Sequence, residues 1–105
     1  MRISKPKHLS RTAGKFYTDV FKEFELEPHH LKILTAACEC LDRMQDAREQ
    51  IKKDGLFVKD RYGQVKAHPA QKVEIDNKTL FARLIRELGL DIEGPEESRL
   101  PRIGG

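Results

Sequence analysis

Cys38 and Cys40 are the only thiols of the 105-residue chain, two positions apart in a segment whose apolar spacing predicts a helix. Their side chains then diverge by about 200° around the axis and cannot readily bridge. A metal site would need more soft ligands than these at workable spacing, and none follow. Both are expected to be reduced, with Cys38 packing in the core. His29 and His30 are adjacent rather than four apart, so they cannot present two imidazoles on one helical face as a zinc helix does. Capping or solvation is their expected role. Asp42 and Asp46 share a face, but Arg43 and Arg48 lie among them and no apolar pocket is evident to raise a carboxyl pKa. They read as solvated surface. Gly14-Lys15 fails as a phosphate loop, because Leu9 stands where the first Gly belongs and Phe16 where Ser or Thr is required. No Gly-x-Ser-x-Gly elbow exists. The expectation is a protein that is not an enzyme and takes neither cofactor nor metal.

The cations are unevenly spread. Residues 1–24 carry a net charge of +4 and residues 55–72 one of +3, while residues 25–54 carry −2. Two basic zones thus flank an acidic stretch, and fields add locally. Lys and Arg contact phosphates, and an aromatic packs on sugar or base. The candidate DNA-binding residues are therefore Lys5, Lys7, Arg11 and Lys15 in the first zone, and Lys59, Arg61, Lys66 and Tyr62 in the second. The contacts they would make are sequence-tolerant, and no recognition-helix pattern points to base-specific readout.

Positioning these residues falls to three helices and a hairpin. Residues 1–10 lack apolar periodicity and read as a flexible basic arm. From Arg11 a helix is predicted to near Glu25, capped by Ser10 or Thr12, with Phe16, Val20, Phe21 and Phe24 on its apolar face. Gly14 weakens its first turn. Glu27-Pro28 starts a second helix running to about Asp54, because Pro suits the first helical position. Leu31, Leu34, Cys38, Leu41, Ala47 or Arg48, and Ile51 follow three-and-four spacing there, and Ile33, Ala37 and Met44 widen the stripe. So wide a stripe implies more than one neighbour, either another element or another subunit. Gly55 ends the helix.

Two strand-like runs, 56–59 and 64–67, flank Asp60-Arg61-Tyr62-Gly63, with Asp opening and Gly closing a type I turn. Alternation puts Leu56 and Val58 on one face and leaves Lys59, Arg61, Tyr62 and Lys66 to the rim or the opposite face. Pro69 starts the third helix, whose buried stripe is Val73, Asn77, Leu80, Phe81, Leu84, Ile85 and Leu88. Gly89 sits at the C′ position, with Leu90 closing back over the last turn. The fold class is mainly α: a three-helix domain with two long amphipathic helices and a small β-hairpin at 56–67 between the second and third. The domain spans 11–90, and 91–105 reads as an extended or disordered tail.

One domain is all that this length supports. With 38% hydrophobic and 35% charged residues the core must be modest, which makes self-association a serious prospect. Its expected surface is Leu34, Leu41, Met44 and Ile51 on the second helix with Phe81, Leu84, Ile85 and Leu88 on the third. No apolar run approaches the ~18 residues of a membrane span, and residues 1–10 lack a signal-peptide core. A cytosolic protein is expected.

Leu26-Glu27-Pro28-His29-His30-Leu31-Lys32-Ile33-Leu34, Leu41-Asp42 and Gln45-Asp46-Ala47-Arg48 resemble the P27 family of phage terminase small subunits. Gly55 before a strand, Gly63 in the turn, Ala67-His68-Pro69, then Phe81-Ala82-Arg83-Leu84-Ile85-Arg86-Glu87-Leu88 and Ser98-Arg99-Leu100-Pro101 follow in the order that family shows. The resemblance spans nearly the whole chain and rests on helices, hairpin and tail agreeing jointly. It implies a non-catalytic component of DNA packaging in the host-cell cytoplasm. Such a subunit recognises double-stranded viral DNA, assembles into a ring-like homo-oligomer and delivers the genome to a large subunit with ATPase and nuclease activities. No short motif of that family marks its DNA contacts, so the choice of cations rests on charge and predicted exposure. The competing reading is a protein-interaction adaptor whose charges only keep it soluble; an enzyme ranks third.

Overall fold

The computed structural model describes residues 5–90. Their order is α1 (Arg11–Glu23), α2 (Pro28–Asp54), β1 (Phe57–Lys59), β2 (Val65–Ala67) and α3 (Ala70–Leu88). This is the expected class, three helices with an antiparallel hairpin between the second and third. Ser10 caps α1, its Oγ accepting the Ala13 N–H at 3.1 Å. Pro28 occupies the first turn of α2, and the Glu27 N–H is satisfied by His30 Nδ1 at 2.9 Å, so His30 is a capping residue. Gly55 ends α2 at φ 91°, a conformation that costs a side-chain-bearing residue. At Gly89, φ 75°, the amides of Gly89 and Leu90 turn back to the carbonyls of Arg86 and Ile85, closing α3 as its Leu88-Gly89-Leu90 sequence predicts.

α2 and α3 run antiparallel: Asp54 meets His68 at one end, Arg48 meets Glu74 a little further in, and Leu34 shares a cluster with Leu88 and Ile85 at the other. α1 lies along the first half of α2, and Leu9, Ala13, Tyr17 and Val20 pack with Leu34 and Cys38. A second buried stripe of α2, made of Ala37, Cys40, Met44 and Ala47, is offset from the first. Small residues on that stripe let α2 approach a neighbour closely. The width of the apolar face is thus used largely within one chain.

Several packing expectations need correction. The segment just before α1 packs against α2: Leu9 is buried in the core, His8 Nε2 lies 2.8 Å from Glu39 Oε2, and the Ser10 amide and hydroxyl both donate to the Asp42 carboxylate. Asp42 is therefore a docking point for the segment before α1 rather than solvated surface. The apolar face of α1 is centred on Ala13, Tyr17 and Val20, leaving Phe24 39% exposed. Gly14 is buried because the Lys5 side chain crosses it; a Cβ there would lie 2.8 Å from Lys5 Cδ. Residues 91–105, with the tail expectation, fall outside the described residues.

Candidate nucleic-acid interface

The hairpin is built from its turn. Asp60 Oδ1 accepts the amides of Tyr62 and Gln64 at 2.8 and 3.0 Å, the Gly63 N–H donates to the Asp60 carbonyl, and Gly63 takes φ 79°. That is a type I turn with a glycine-led bulge, which matches the twist of the strands. The register pairs Phe57 with Ala67, Val58 with Lys66 and Lys59 with Val65. Directly paired residues share a face, so Lys66 lies with half-buried Val58, while Lys59 lies with Phe57 and Val65 on the outer face. Where alternation left both lysines to the rim or the opposite face, the register puts them on different faces.

At its base the hairpin is tied to the helices by hydrogen bonds. The Leu56 carbonyl accepts the His68 N–H at 2.8 Å and Gln71 Nε2 at 2.6 Å. Elsewhere its strands stand in solvent, with Tyr62 76% exposed at the tip and the Arg61 guanidinium 5.4 Å from its ring centroid. All eight candidate cations and aromatics are exposed. They form two groups. Lys59, Arg61, Tyr62 and Lys66 gather on the hairpin, and among the described residues no ion pair engages these cations. Lys5, Lys7, Arg11 and Lys15 gather around the start of α1, where Lys15 is already paired with Asp19 at 2.9 Å.

Twelve residues of α2 separate Asp42, which holds Ser10, from Asp54, which holds His68, so the two groups are anchored about 18 Å apart. Between them a groove of about 900 Å³ is lined by Arg11 and Arg48 together with Asp42, Asp46 and Glu49, so carboxylates interrupt the positive surface there. Lys52 and Lys53, in the last turn of α2, add two cations to the hairpin end. Charge counting over the hairpin alone misses them, although basic residues before a helix-ending glycine are a readable sign of that end of the helix dipole.

The two thiols are buried along α2. Burial, helped by Asp42 and Glu39, pushes the Cys38 thiol up to about 12. Burial also raises Cys40, against the opposing pull of Arg43 and together with Glu39. Neither thiol supplies a thiolate at neutral pH. Among the described residues, no three His, Cys, Asp or Glu side chains form a group that could hold a metal ion, and no helix is long and apolar enough to cross a membrane.

Of the expected assembly residues, Leu34, Met44 and Leu88 are buried inside the protomer, so they have almost no surface to offer a second copy. Leu41, Ile51, Phe81, Leu84 and Ile85 are half-buried. Large apolar side chains are instead exposed on the hairpin and α3: Leu56, Phe57 and Val65, then Val73, Ile75 and Leu80.

No curated protein and no solved structure matches the chain. A family model described as phage terminase, small subunit, matches residues 16–101, which takes in most of α1 and all of α2, the hairpin and α3. A match over so much of the chain shows that it belongs to the phage terminase small-subunit family, a generally non-catalytic group whose role is in phage DNA packaging.

Proposed function

We propose that this protein is the DNA-recognising, oligomeric small subunit of a phage terminase of the P27 type, which presents double-stranded viral DNA to the large ATPase and nuclease subunit in the host cytoplasm. The observation that carries the reading is the hairpin: Lys59, Arg61 and Lys66 stand exposed and, among the described residues, outside any ion pair, on a ribbon whose base is hydrogen-bonded to α3. A cation outside an ion pair is available to displace condensed counterions from a phosphate backbone. Lys52 and Lys53 extend the same positive end, and Arg11 with Lys7 offers a second contact nearer the middle of α2.

Duplex binding followed by fluorescence anisotropy at several salt concentrations tests this. Affinity is expected to fall by about 10- to 1,000-fold between 50 and 200 mM salt for a handful of phosphate contacts. A flat response, or no binding at low salt, rejects it. The adaptor reading draws on a different observation, the exposed apolar residues of the hairpin and α3. Co-purification separates the two: retention of a large ATPase by a protein indifferent to duplex favours the adaptor.

A further inference from the structure

The two ends of α2 carry opposite surfaces. At the hairpin end, residues 52–67 hold five cations against two carboxylates, and the outer face of the ribbon presents Phe57 and Val65, each 65% exposed. At the other end, residues 22–27 set Lys22 against Glu23, Glu25 and Glu27, and none of the three carboxylates enters an ion pair among the described residues. Phe24, in the middle of that acidic run, forms one wall of a hollow of about 280 Å³ whose other walls are Phe16, Val20, Phe81, Ile85 and Leu90. One end is thus an aromatic knob beside lysines and the other an apolar hollow beside glutamates. Phe81 and Ile85 lie 11 and 15 residues into α3 from Ala70, so these walls of the hollow stand about 17 to 23 Å along that helix from the base of the hairpin.

We infer that a second copy of this chain docks head to tail, the Phe57–Val65 face of its hairpin seated in the Phe24 hollow with Lys59 against Glu23 and Glu25. The inference rests on the oligomeric reading above and names its contact. Hairpin against hairpin would bring like charges together, whereas knob against hollow joins opposite charges around a desolvated aromatic. Because the contact joins different patches, each copy offers a free hollow or knob to the next, and a rotation that closes makes a ring. Lys59 passes from the DNA-binding set to this contact, and strand register keeps the rest of the hairpin set apart from it. Lys66 lies on the opposite face, and Arg61 and Tyr62 are at the turn, so they stay free when Phe57, Lys59 and Val65 are covered. Phe81 and Ile85 keep their expected part in assembly, as walls of the hollow.

Light scattering coupled to size exclusion, on the full chain without DNA at tens of micromolar, tests the contact. Wild type is expected above protomer mass. Glu23→Lys with Glu25→Lys, Lys59→Glu alone, and Phe57→Ser alone should each return the mass to the protomer with the helical circular dichroism unchanged. Lys59→Glu mixed with the Glu23→Lys, Glu25→Lys protein should regain mass, since opposite charges again meet. An oligomer that survives all of these substitutions overturns the inference and leaves the assembly reading standing, the result expected if residues 91–105 of the same chain cover the hollow. A wild-type protomer at every concentration overturns both.

Discussion

His68 Nε2 lies 2.9 Å from Asp54 Oδ2, joining the last residue of α2 to a residue just ahead of α3, with the whole hairpin strung between them. The other ring nitrogen, Nδ1, lies 3.0 Å from the Ala70 amide nitrogen. An amide N–H can only donate, so Nδ1 accepts and the proton sits on Nε2, facing the carboxylate. One neutral tautomer therefore serves both bonds and fixes the angle at which the ribbon leaves the helices.

Because the His68 side chain is only 11% exposed, His68→Ala strands the Ala70 N–H and frees Asp54. The expected cost is about 1–3 kcal/mol, the range for a buried hydrogen-bonding group left without its partner. It should appear as a lower urea midpoint with an unchanged slope, together with weaker duplex binding as the hairpin loses its seat. An unchanged midpoint would mean that the Leu56 carbonyl bonds hold the hairpin alone.

Pro28, Gly55, Asp60, Gly63 and Gly89 each impose a local backbone geometry, so helix ends and the turn were legible before any packing was known. Periodicity was less informative about partners. Leu34 and Met44 recur at the spacing of a buried stripe, and that spacing is the same whether the neighbour is α1, α3 or another copy; only the structure shows that they are covered in the chain itself. Tyr17 and Leu9 were missed as core because one carries a polar tip and the other precedes the helix in a segment without period. The reason for Gly14 was hidden too, since it lies in a lysine stem arriving from nine residues upstream. Within the candidate interface, exposure and hairpin placement could be read from charge and alternation. The side on which Lys66 lies depends on strand register, and the Lys15–Asp19 pairing depends on rotamers.

That pairing gives the candidate DNA-binding residues a ranking. Arg61→Glu and Lys66→Glu should each weaken duplex binding by about tenfold or more at low salt, lower the salt slope by roughly 0.9 for each phosphate no longer neutralised, and leave thermal stability within about 0.5 kcal/mol of wild type. Lys15→Gln should cost less, because Asp19 already neutralises that ammonium. Anisotropy titrations at three salt concentrations separate these cases. Equal losses at Lys15 and Arg61 would move the centre of binding to the start of α1.

Cys38 links packing to pH. Its thiol ionises near 9 in an ordinary setting and is pushed up to about 12 by burial, with Asp42 and Glu39 adding to the shift. The folded state therefore keeps the proton while the unfolded chain gives it up. The stabilisation is fully present below pH 9 and is lost as pH rises from there through about 12, because ionisation then draws the equilibrium toward the unfolded chain. Alkaline urea titrations should show the wild-type midpoint falling more steeply across that window than the midpoint of Cys38→Ala. The same burial predicts that a thiol-specific reagent at pH 8 modifies Cys38 and Cys40 slowly in the native protein and rapidly in urea, since only the thiolate attacks and both thiols are buried. Equal rates in the two states would show that the stripe carrying Cys40 and the cluster holding Cys38 open readily, and that the core of α2 is looser than its packing implies.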